Sequence, residues 1–508
     1  MRYRIHEIKL NIDEPFEMIP RRIERKLRLK ENSLNDSDYF VMKESIDARD
    51  KKDIKYVYTV DFDADINLDK VQIKNFGVAP NIKRFELKRG ERFSEKRPVV
   101  IGFGPCGMFA ALELARYNMK PIVIERGSKI NKRVKKVEEF WKDGILDEES
   151  NVLFGEGGAG TFSDGKLTTG IRDSRIRYVL ETLVEAGAPA DILYKQKPHI
   201  GTDLLRLVVR NIRNQIIELG GEIRFNTKMQ RLNLLNDEVL SVITSDDEVI
   251  YTDAVIVAIG HSARDTFKMF DAQGIKMEQK PFSIGVRIEH SQDLIDKAQY
   301  GNTKGLPPAE YKLSYKAKNG RGVYSFCMCP GGEVITTTTK EGEISVNGMS
   351  YRKRDSGAAN SGILCDVRCT DFESDDVLAG IEFQRKYEEI AFMHGGENFK
   401  PPKSNYMEFL HNIGEGSKVN ECLPDFAKEA IKEAIPKFGK KIKGFDSKET
   451  IIKAVETRSS SPVRIVRNEK LESNIKGLFP GGEGAGYAGG ITSAACDGLK
   501  IAERIIIA

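Results

Sequence analysis

Residues 98–127 read PVVIGFGPCGMFAALELARYNMKPIVIERG, and this stretch decides the fold that we expect. It opens with a short apolar run, 99–101, of the kind that forms a buried parallel strand. The pattern G-x-G-x-x-G follows, at Gly102, Gly104 and Gly107. A helix rich in Ala and Leu is predicted at 106–117, and a second apolar run, 122–124, leads to Glu125. This succession is typical of a unit that binds a dinucleotide.

Each of these positions has a physical role in holding a dinucleotide. Gly102 permits a tight turn, Gly104 lets a pyrophosphate approach the backbone, and Gly107 lets the helix pack close to the strand. The helix N-terminus offers free N–H groups and a partial positive charge to the phosphates. The Glu125 carboxylate can accept two ribose hydroxyls but would repel a 2′-phosphate. The unit therefore predicts FAD or NAD rather than NADP.

The glycine pattern alone is weak evidence, because it occurs twice more in this chain. One copy, at 155–160, is followed by TFSDGKL, which cannot open a helix. The other, at 484–489, precedes a predicted helix but leaves no room for a second strand and its acid before Ala508. Only the copy that begins at Gly102 has the complete succession of strand, glycine turn, helix, second strand and the acidic residue Glu125.

Composition limits the class of protein further. The 508 residues are enough for two or three domains. With 80 basic and 76 acidic side chains the formal charge is +4, so the balance does not indicate nucleic acid as a partner. We expect no transmembrane helix and no export signal, because no apolar run of the required length occurs. Seven cysteines then favour the reducing cytoplasm, and no metal site is expected.

The first residues, 1–94, predict a small α+β module, for which the ferredoxin-like fold is one candidate. Loose alternation predicts strands near 3–12, 39–47 and 55–61 around an amphipathic helix. The basic run RRIERKLRLK, 21–30, could contact RNA or a membrane, or could be the solvated face of that helix. We favour the solvated face, because no aromatic residues are interleaved for base stacking. Residues 81–96 are predicted to be a linker.

The middle of the chain continues the α/β pattern. A charged helix is predicted at 126–142, and its Arg133 could reach back to a pyrophosphate or lie on the surface. The loop FGEGGAGTFSDGKL, 154–167, is dense in glycine, which favours backbone packed against a bound flavin or a mobile lid. Further elements are predicted, namely a helix at 203–219 and strands at 222–227 and 253–260.

The segment 477–504 reads GLFPGGEGAGYAGGITSAACDGLKIAER. A strand is predicted to end on Glu483, and a helix to begin near Gly490 after a glycine-rich turn. The carboxylate suits polyol hydroxyls, and the helix N-terminus suits a negative charge that appears on reduction. These are the requirements of the ribityl chain and of the reduced ring of a flavin.

Together, GFGPCG, ERG, the AIG strand end and GGEGAGYAGGITSA resemble the glutathione-reductase-type flavoproteins. Over nearly the whole chain, motifs such as HIGTD, PFSIGVRIEH and TRSSSPVRI are similar to a group of uncharacterised bacterial FAD-dependent dehydrogenases. The resemblance implies bound FAD and an α/β fold, in which a Rossmann domain receives an inserted α+β substrate or cap domain. We expect boundaries that divide the chain into 1–94, 95–280, 281–445 and 446–508.

The same resemblance implies which residues bind FAD. The ADP half would be held by Gly102, Gly104, Pro105, Cys106, Gly107, Glu125, Arg126 and Arg133. The pyrophosphate and flavin would lie along Gly157, Gly158, Ala159, Gly160 and Thr161. The adenine would lie between Thr227 and Met229, and the remaining contacts are Ala258, Gly260, Gly482, Glu483, Gly490 and Ile491. Many relatives carry Asp where this chain has Glu483, so the resemblance implies a contact to the ribityl chain that differs in reach.

Four residues are candidates for catalysis. Arg287 and Arg458 could bind a substrate carboxylate bidentately, and His199 could transfer a proton near neutral pH. His290 could do the same, although a lone histidine is more often a hydrogen-bonded structural residue.

Two cysteines, Cys327 and Cys329, form C-x-C in the expected cap. They could be a redox pair beside the flavin. Neighbouring positions on one face of a strand explain them more simply, and we favour that explanation.

The sequence therefore predicts an FAD-dependent oxidoreductase that passes a hydride between a small-molecule substrate, with a carboxylate as one candidate, and non-covalently bound FAD. A dedicated NAD(P)H domain is not expected, because no second complete fingerprint exists. Two alternatives stay open: a flavoprotein that modifies RNA, and a flavin-binding redox sensor without catalysis.

Overall fold

The computed structural model describes residues 1–34, 39–66, 73–80 and 96–508. The predicted linker lies outside these ranges except for its last residue, so it stays a prediction. In the described parts of the chain, no helix is both long and apolar enough to cross a membrane.

The N-terminal residues form an antiparallel sheet of four strands in the order β2-β3-β1-β4. Their elements are β1 Arg2–Asn11, α1 Ile19–Leu27, β2 Tyr39–Asp47, β3 Lys55–Asp63 and β4 Phe76–Val78. Helix α1 buries Ile19, Ile23 and Leu27, which recur every fourth residue, against the sheet. Arg21 and Arg25 lie on its exposed face. The described residues of this part contain no second α-helix, so the ferredoxin-like assignment stays a prediction.

The remaining elements follow in chain order. The strands are β5 Val99–Ile101, β6 Ile122–Glu125, β7 Glu222–Phe225, β8 Met229–Leu235, β9 Glu238–Thr244, β10 Val249–Tyr251, β11 Val255–Val257, β12 Met277–Gln279, β13 Phe282–Ser291, β14 Ser314–Lys316, β15 Gly322–Pro330, β16 Glu333–Thr337, β17 Ser345–Met349, β18 Ala358–Val367, β19 Lys403–Asn405, β20 Ile451–Glu456, β21 Val463–Ile465 and β22 Leu478–Pro480. The helices are α2 Pro105–Arg116, α3 Ile130–Asp143, α4 Arg175–Glu185, α5 Thr202–Glu218, α6 Arg264–Ala272, α7 Gln292–Tyr300, α8 Ala379–His394, α9 Tyr406–His411, α10 Glu415–Glu421, α11 Asp425–Gly439 and α12 Ile491–Ile507.

A parallel sheet of five strands, in the order β22-β11-β5-β6-β7, lies at the centre of the fold. Helices α2, α5 and α12 pack together on one face, where Phe109, Val208 and Leu499 belong to one buried apolar cluster. The mixed α/β architecture with a parallel sheet confirms the predicted α/β fold class. Strands β5, β11 and β22 are fully apolar and buried, as strands covered on both faces must be, whereas the edge strand β7 carries Glu222 and Arg224 and is half-buried.

A second sheet has six strands in the order β14-β15-β18-β13-β20-β19, and its pairs are antiparallel. Helix α11 packs across it and buries Ile431, Ile435 and Phe438. Strand β20, at Ile451–Glu456, pairs with β13. The sheet therefore extends past the boundary that we predicted at 445.

Candidate functional site

A cavity of about 550 Å³ runs from the carboxyl edge of the parallel sheet to the six-stranded sheet. One end, which we call the turn end, is lined by Gly102, Gly104 and Glu125. The other, the cysteine end, is lined by Cys327, Asn347 and Glu456. Cavities of this size and position are typical of cofactor sites in open α/β sheets.

The glycines at the turn end bring their backbone into close contact with neighbouring segments. Gly102 has φ +95°, and a Cβ there would lie 2.4 Å from the carbonyl oxygen of Ala258. A Cβ on Gly107 would lie 2.0 Å from the carbonyl oxygen of Gly102. Gly104 is different, because a Cβ on it would meet only the Cα of Gly158, at 3.8 Å. Gly102 and Gly107 therefore allow the backbone to pack closely against neighbouring backbone, whereas the missing side chain of Gly104 leaves space in the cavity.

Glu125 stands at the end of β6 with its carboxylate fixed by the backbone. Its two oxygens accept hydrogen bonds from the N–H groups of Phe103 (2.8 Å) and Gly127 (2.9 Å). The neighbouring Arg126 instead pairs with Glu149 and Asp265. These two N–H groups thus hold the carboxylate in a fixed position at the cavity wall.

Arg133 lies in neither of the two positions that we predicted for it. It is fully buried and does not line the cavity. Its guanidinium donates to the backbone carbonyls of Asn151, Val152, Gly155, Glu156 and Gly158. Arg133 therefore holds the glycine-rich loop in shape from behind, and the loop presents its other side to the cavity.

Most of the other residues expected to bind FAD line the cavity. Those that do are Pro105, Cys106, Arg126, Gly158, Ala159, Gly160, Thr227, Met229, Ala258, Gly260, Gly482, Glu483, Gly490 and Ile491. Gly107, Arg133, Gly157 and Thr161 do not line it. A Cβ on Gly157 would lie 2.2 Å from Oγ1 of Thr161, so these two residues pack against each other inside the loop.

Glu483 lies where the loop after β22 approaches the N-terminus of α12. Burial raises the pKa of its carboxyl to about 7, although the N–H of Gly490 lowers it. Helix α12 begins at Ile491, directly after Gly490, so its N-terminus faces the same part of the cavity.

The cysteine end contains a carboxylate that the sequence analysis missed. Glu456 ends strand β20 one residue before the motif TRSSSPVRI, and it lines the cavity. Its Oε2 lies 2.7 Å from Nε of Arg287. Burial raises the pKa of Glu456 to about 7 even though Arg287 lowers it. A buried carboxyl that titrates near neutrality is a candidate proton acceptor or donor.

Arg287 itself does not reach the cavity. It is fully buried and lies behind Glu456, and it also donates to Asn347 (3.0 Å), to Asn360 (3.0 Å) and to the carbonyl oxygen of Cys327 (2.9 Å). With its hydrogen bonds directed at these groups, Arg287 positions Glu456. The structure gives no support to a substrate carboxylate on this guanidinium.

Arg458 lines the cavity, but its charge is directed away from it. The guanidinium forms two hydrogen bonds with Glu388, at 3.0 and 2.8 Å. Glu388 is fully buried and accepts two more from Arg264, both at 2.9 Å. This buried cluster joins α6, α8 and the segment after β20, and it forms one wall of the site.

The two candidate histidines lie away from the cavity. Nε2 of His199 is 3.1 Å from the carbonyl oxygen of Arg352, and Nε2 of His290 is 2.8 Å from that of Phe445. Burial lowers the pKa of both imidazoles to about 4, so they are neutral at pH 7. His199 is therefore not placed with the other candidates for catalysis.

Comparison with known proteins adds two family matches and one close relative. Residues 281–459 match the family described as "FAD-dependent protein, C-terminal domain-like". Residues 2–63 match a domain of unknown function. An uncharacterized protein of Clostridium beijerinckii is 46% identical over 100% of this chain and 99% of its own length. FAD, the predicted cofactor, is confirmed by the first match.

Solved structures resemble the chain more distantly. Glycerol-3-phosphate dehydrogenase of Bacillus halodurans complexed with FAD has a TM-score of 0.36 and 15% identity, over 81% of this chain and 64% of that one. L-Proline dehydrogenase of P. horikoshii has a TM-score of 0.35 and 14% identity, over 81% and 94%. At TM-scores this low the likeness identifies no substrate for this chain.

Proposed function

This chain belongs to the same family as the Clostridium beijerinckii protein, and on that premise we propose that it is an FAD-dependent oxidoreductase of the glutathione-reductase type. The observation that carries the proposal is the single cavity that connects the glycine turn with Glu456. Bound FAD would supply hydride transfer, and the chain would supply binding, orientation and a proton acceptor.

Within this proposal the residues have distinct tasks. Gly104 and the N-terminus of α2 accommodate the pyrophosphate, and Glu125 binds the ribose. The six-stranded sheet acts as the inserted cap over the reactive part of the cofactor. Glu456, held by Arg287, accepts a proton from the substrate when a hydride leaves it. The substrate is a small molecule that enters at the cysteine end.

The proposal is tested first by the visible spectrum of freshly purified protein, before and after denaturation and filtration. We expect flavin bands that pass into the filtrate as FAD, because the cofactor is proposed to be non-covalent. The same bands then serve a screen in which a substrate bleaches the flavin under anaerobic conditions. A colourless protein that takes up no added FAD would refute the proposal.

Replacing Gly104 with alanine is expected to weaken FAD binding about 10- to 100-fold while the protein still folds, because overpacking costs ~1–3 kcal/mol. The new Cβ fits the protein, with 3.8 Å to its nearest neighbour, but occupies space that the pyrophosphate needs. Affinity is measured by titrating the apoprotein with FAD and following flavin fluorescence.

The matched control is Gly170→Ala, since a Cβ on the exposed Gly170 meets nothing within 4 Å and lies outside the cavity. Equal affinities of the two variants for FAD would contradict the proposed place of the pyrophosphate.

A further inference from the structure

Strand β15 is irregular where it carries the two cysteines. Its pairing with β18 shifts register between Phe326 and Cys329, which is a β-bulge. Cys327 adopts φ +43°, a conformation that is rare outside glycine and is concentrated at functional sites. Both cysteines lie on one strand, as predicted, but the bulge interrupts the alternation of side chains that would place them on one face of it.

The bulge gives the two thiols different environments at the cysteine end. Cys327 lines the cavity, together with Asn347 and Glu456. Cys329 is fully buried and does not line it, and its Sγ lies 3.3 Å from the carbonyl oxygen of Cys327. One sulfur thus stands at the cavity wall with a second directly behind it.

The charges around the pair favour one thiolate. The neighbouring Cys329 thiol and the charges of Arg287 and Lys166 lower the pKa of Cys327 against the effect of burial. The proximity of Cys327 and burial raise the pKa of Cys329. A thiolate beside a thiol is the protonation state from which a disulfide forms most readily.

We propose that Cys327 and Cys329 are a redox-active dithiol that exchanges two electrons with the FAD bound in this cavity. The step forms one S–S bond from the Cys327 thiolate and the Cys329 thiol, which together lose two electrons and one proton. Both electrons and that proton pass to the flavin. In the reverse direction the reduced flavin reduces the disulfide. The inference rests on the proposed function only in requiring bound FAD.

The first test is an anaerobic reductive titration of the holoenzyme with dithionite, followed by flavin absorbance. The wild type is expected to take up four electrons per FAD, two for the flavin and two for the disulfide. Cys327→Ser and Cys329→Ser are expected to take up two. Cys369→Ser is the matched control, because Cys369 lies outside the cavity, and it is expected to take up four.

The second test uses the wild type alone and does not depend on how the variants fold. The tryptic peptide 322–340 contains both cysteines and no other. After oxidation of the holoenzyme with ferricyanide and alkylation in denaturant, mass spectrometry should find this peptide unalkylated and lighter by two hydrogens. Prior reduction should leave both cysteines alkylated.

Two electrons per FAD, together with two alkylated cysteines after oxidation, would overturn the redox pair. Such a protein would still release FAD on denaturation, so the proposed function would survive. A protein that binds no FAD would fail in the spectrum instead, and the two failures are therefore distinguishable.

Discussion

Replacing Glu388 with glutamine is expected to lower the free energy of unfolding by ~3–5 kcal/mol, because breaking a buried ion pair leaves a charge without compensation. Glu388 has no exposed side-chain surface, and its carboxylate lies within 3.0 Å of donors on Arg264 and Arg458. Among the described residues, the two guanidinium groups would then share only the carboxylate of Glu343. Urea unfolding of both proteins, followed by circular dichroism, measures the difference.

The adjacent residue provides the control for this prediction. Glu389 lies on the same helix, but its side chain is 48% exposed and pairs only with Arg385 among the described residues. Glu389→Gln should change the free energy of unfolding by no more than about 0.5 kcal/mol. Similar small losses in both variants would show that the cluster around Glu388 does not hold the wall of the site together.

The contribution of Glu388 should also depend on pH. Burial alone would raise the pKa of this carboxyl, but Arg264 and Arg458 lower it to about 2. The pKa in the unfolded chain is about 4.3. A carboxyl with a depressed pKa stabilises the fold above its unfolded pKa and loses this effect as the pH falls through its folded pKa. The difference between wild type and variant should therefore shrink between about pH 4 and pH 2.

Replacing Glu456 with glutamine is expected to slow flavin reduction by about 10²- to 10⁴-fold, the usual contribution of a positioned acid or base. In the wild type the rate should rise with pH through about 7, because the carboxylate form accepts the proton. The variant should lack this rise. Stopped-flow flavin absorbance, with the substrate that bleaches the flavin in the screen, measures both effects.

The conservative variant Glu456→Asp separates this role from a merely structural one. It keeps a carboxylate opposite Arg287, so the rise in rate with pH should return even if the rate stays lower. A glutamine variant that keeps both the wild-type rate and its pH dependence would remove Glu456 from the chemistry.

The central part of the fold is predictable because its signals are local. Strand β5 has the predicted bounds, and helix α2 begins one residue earlier than predicted, at Pro105. A glycine turn, an apolar run and a helical period can all be recognised within about thirty consecutive residues. The bulge at Cys327 cannot be recognised from such a local pattern, because the register of β15 is set by β18, which comes later in the chain.

The candidate site is only partly predictable for the same reason. Glycines that shape a turn are recognised by spacing, and most of those predicted line the cavity. The pKa of Glu456 is raised by burial against the opposing effect of Arg287, and both the burial and this partner, which is 169 residues away in the sequence, are set by tertiary structure. Arg133 and His199 are predicted from the chemistry of their side chains. Their burial and their hydrogen bonds to backbone carbonyls follow from tertiary contacts, which no local sequence pattern indicates.

The position of strand β22 and helix α12 has a consequence for synthesis. Gly498 in α12 lies so close to α2 that a Cβ on it would be 2.1 Å from the carbonyl oxygen of Cys106. Ribosomes add about 5–20 residues per second, so α2 emerges roughly 20 to 80 s before the helix that covers it. Until then the sheet lacks its edge strand β22, and the cavity lacks Glu483 and Ile491. We therefore expect the complete set of FAD contacts to form only after β22 and α12 have joined the sheet.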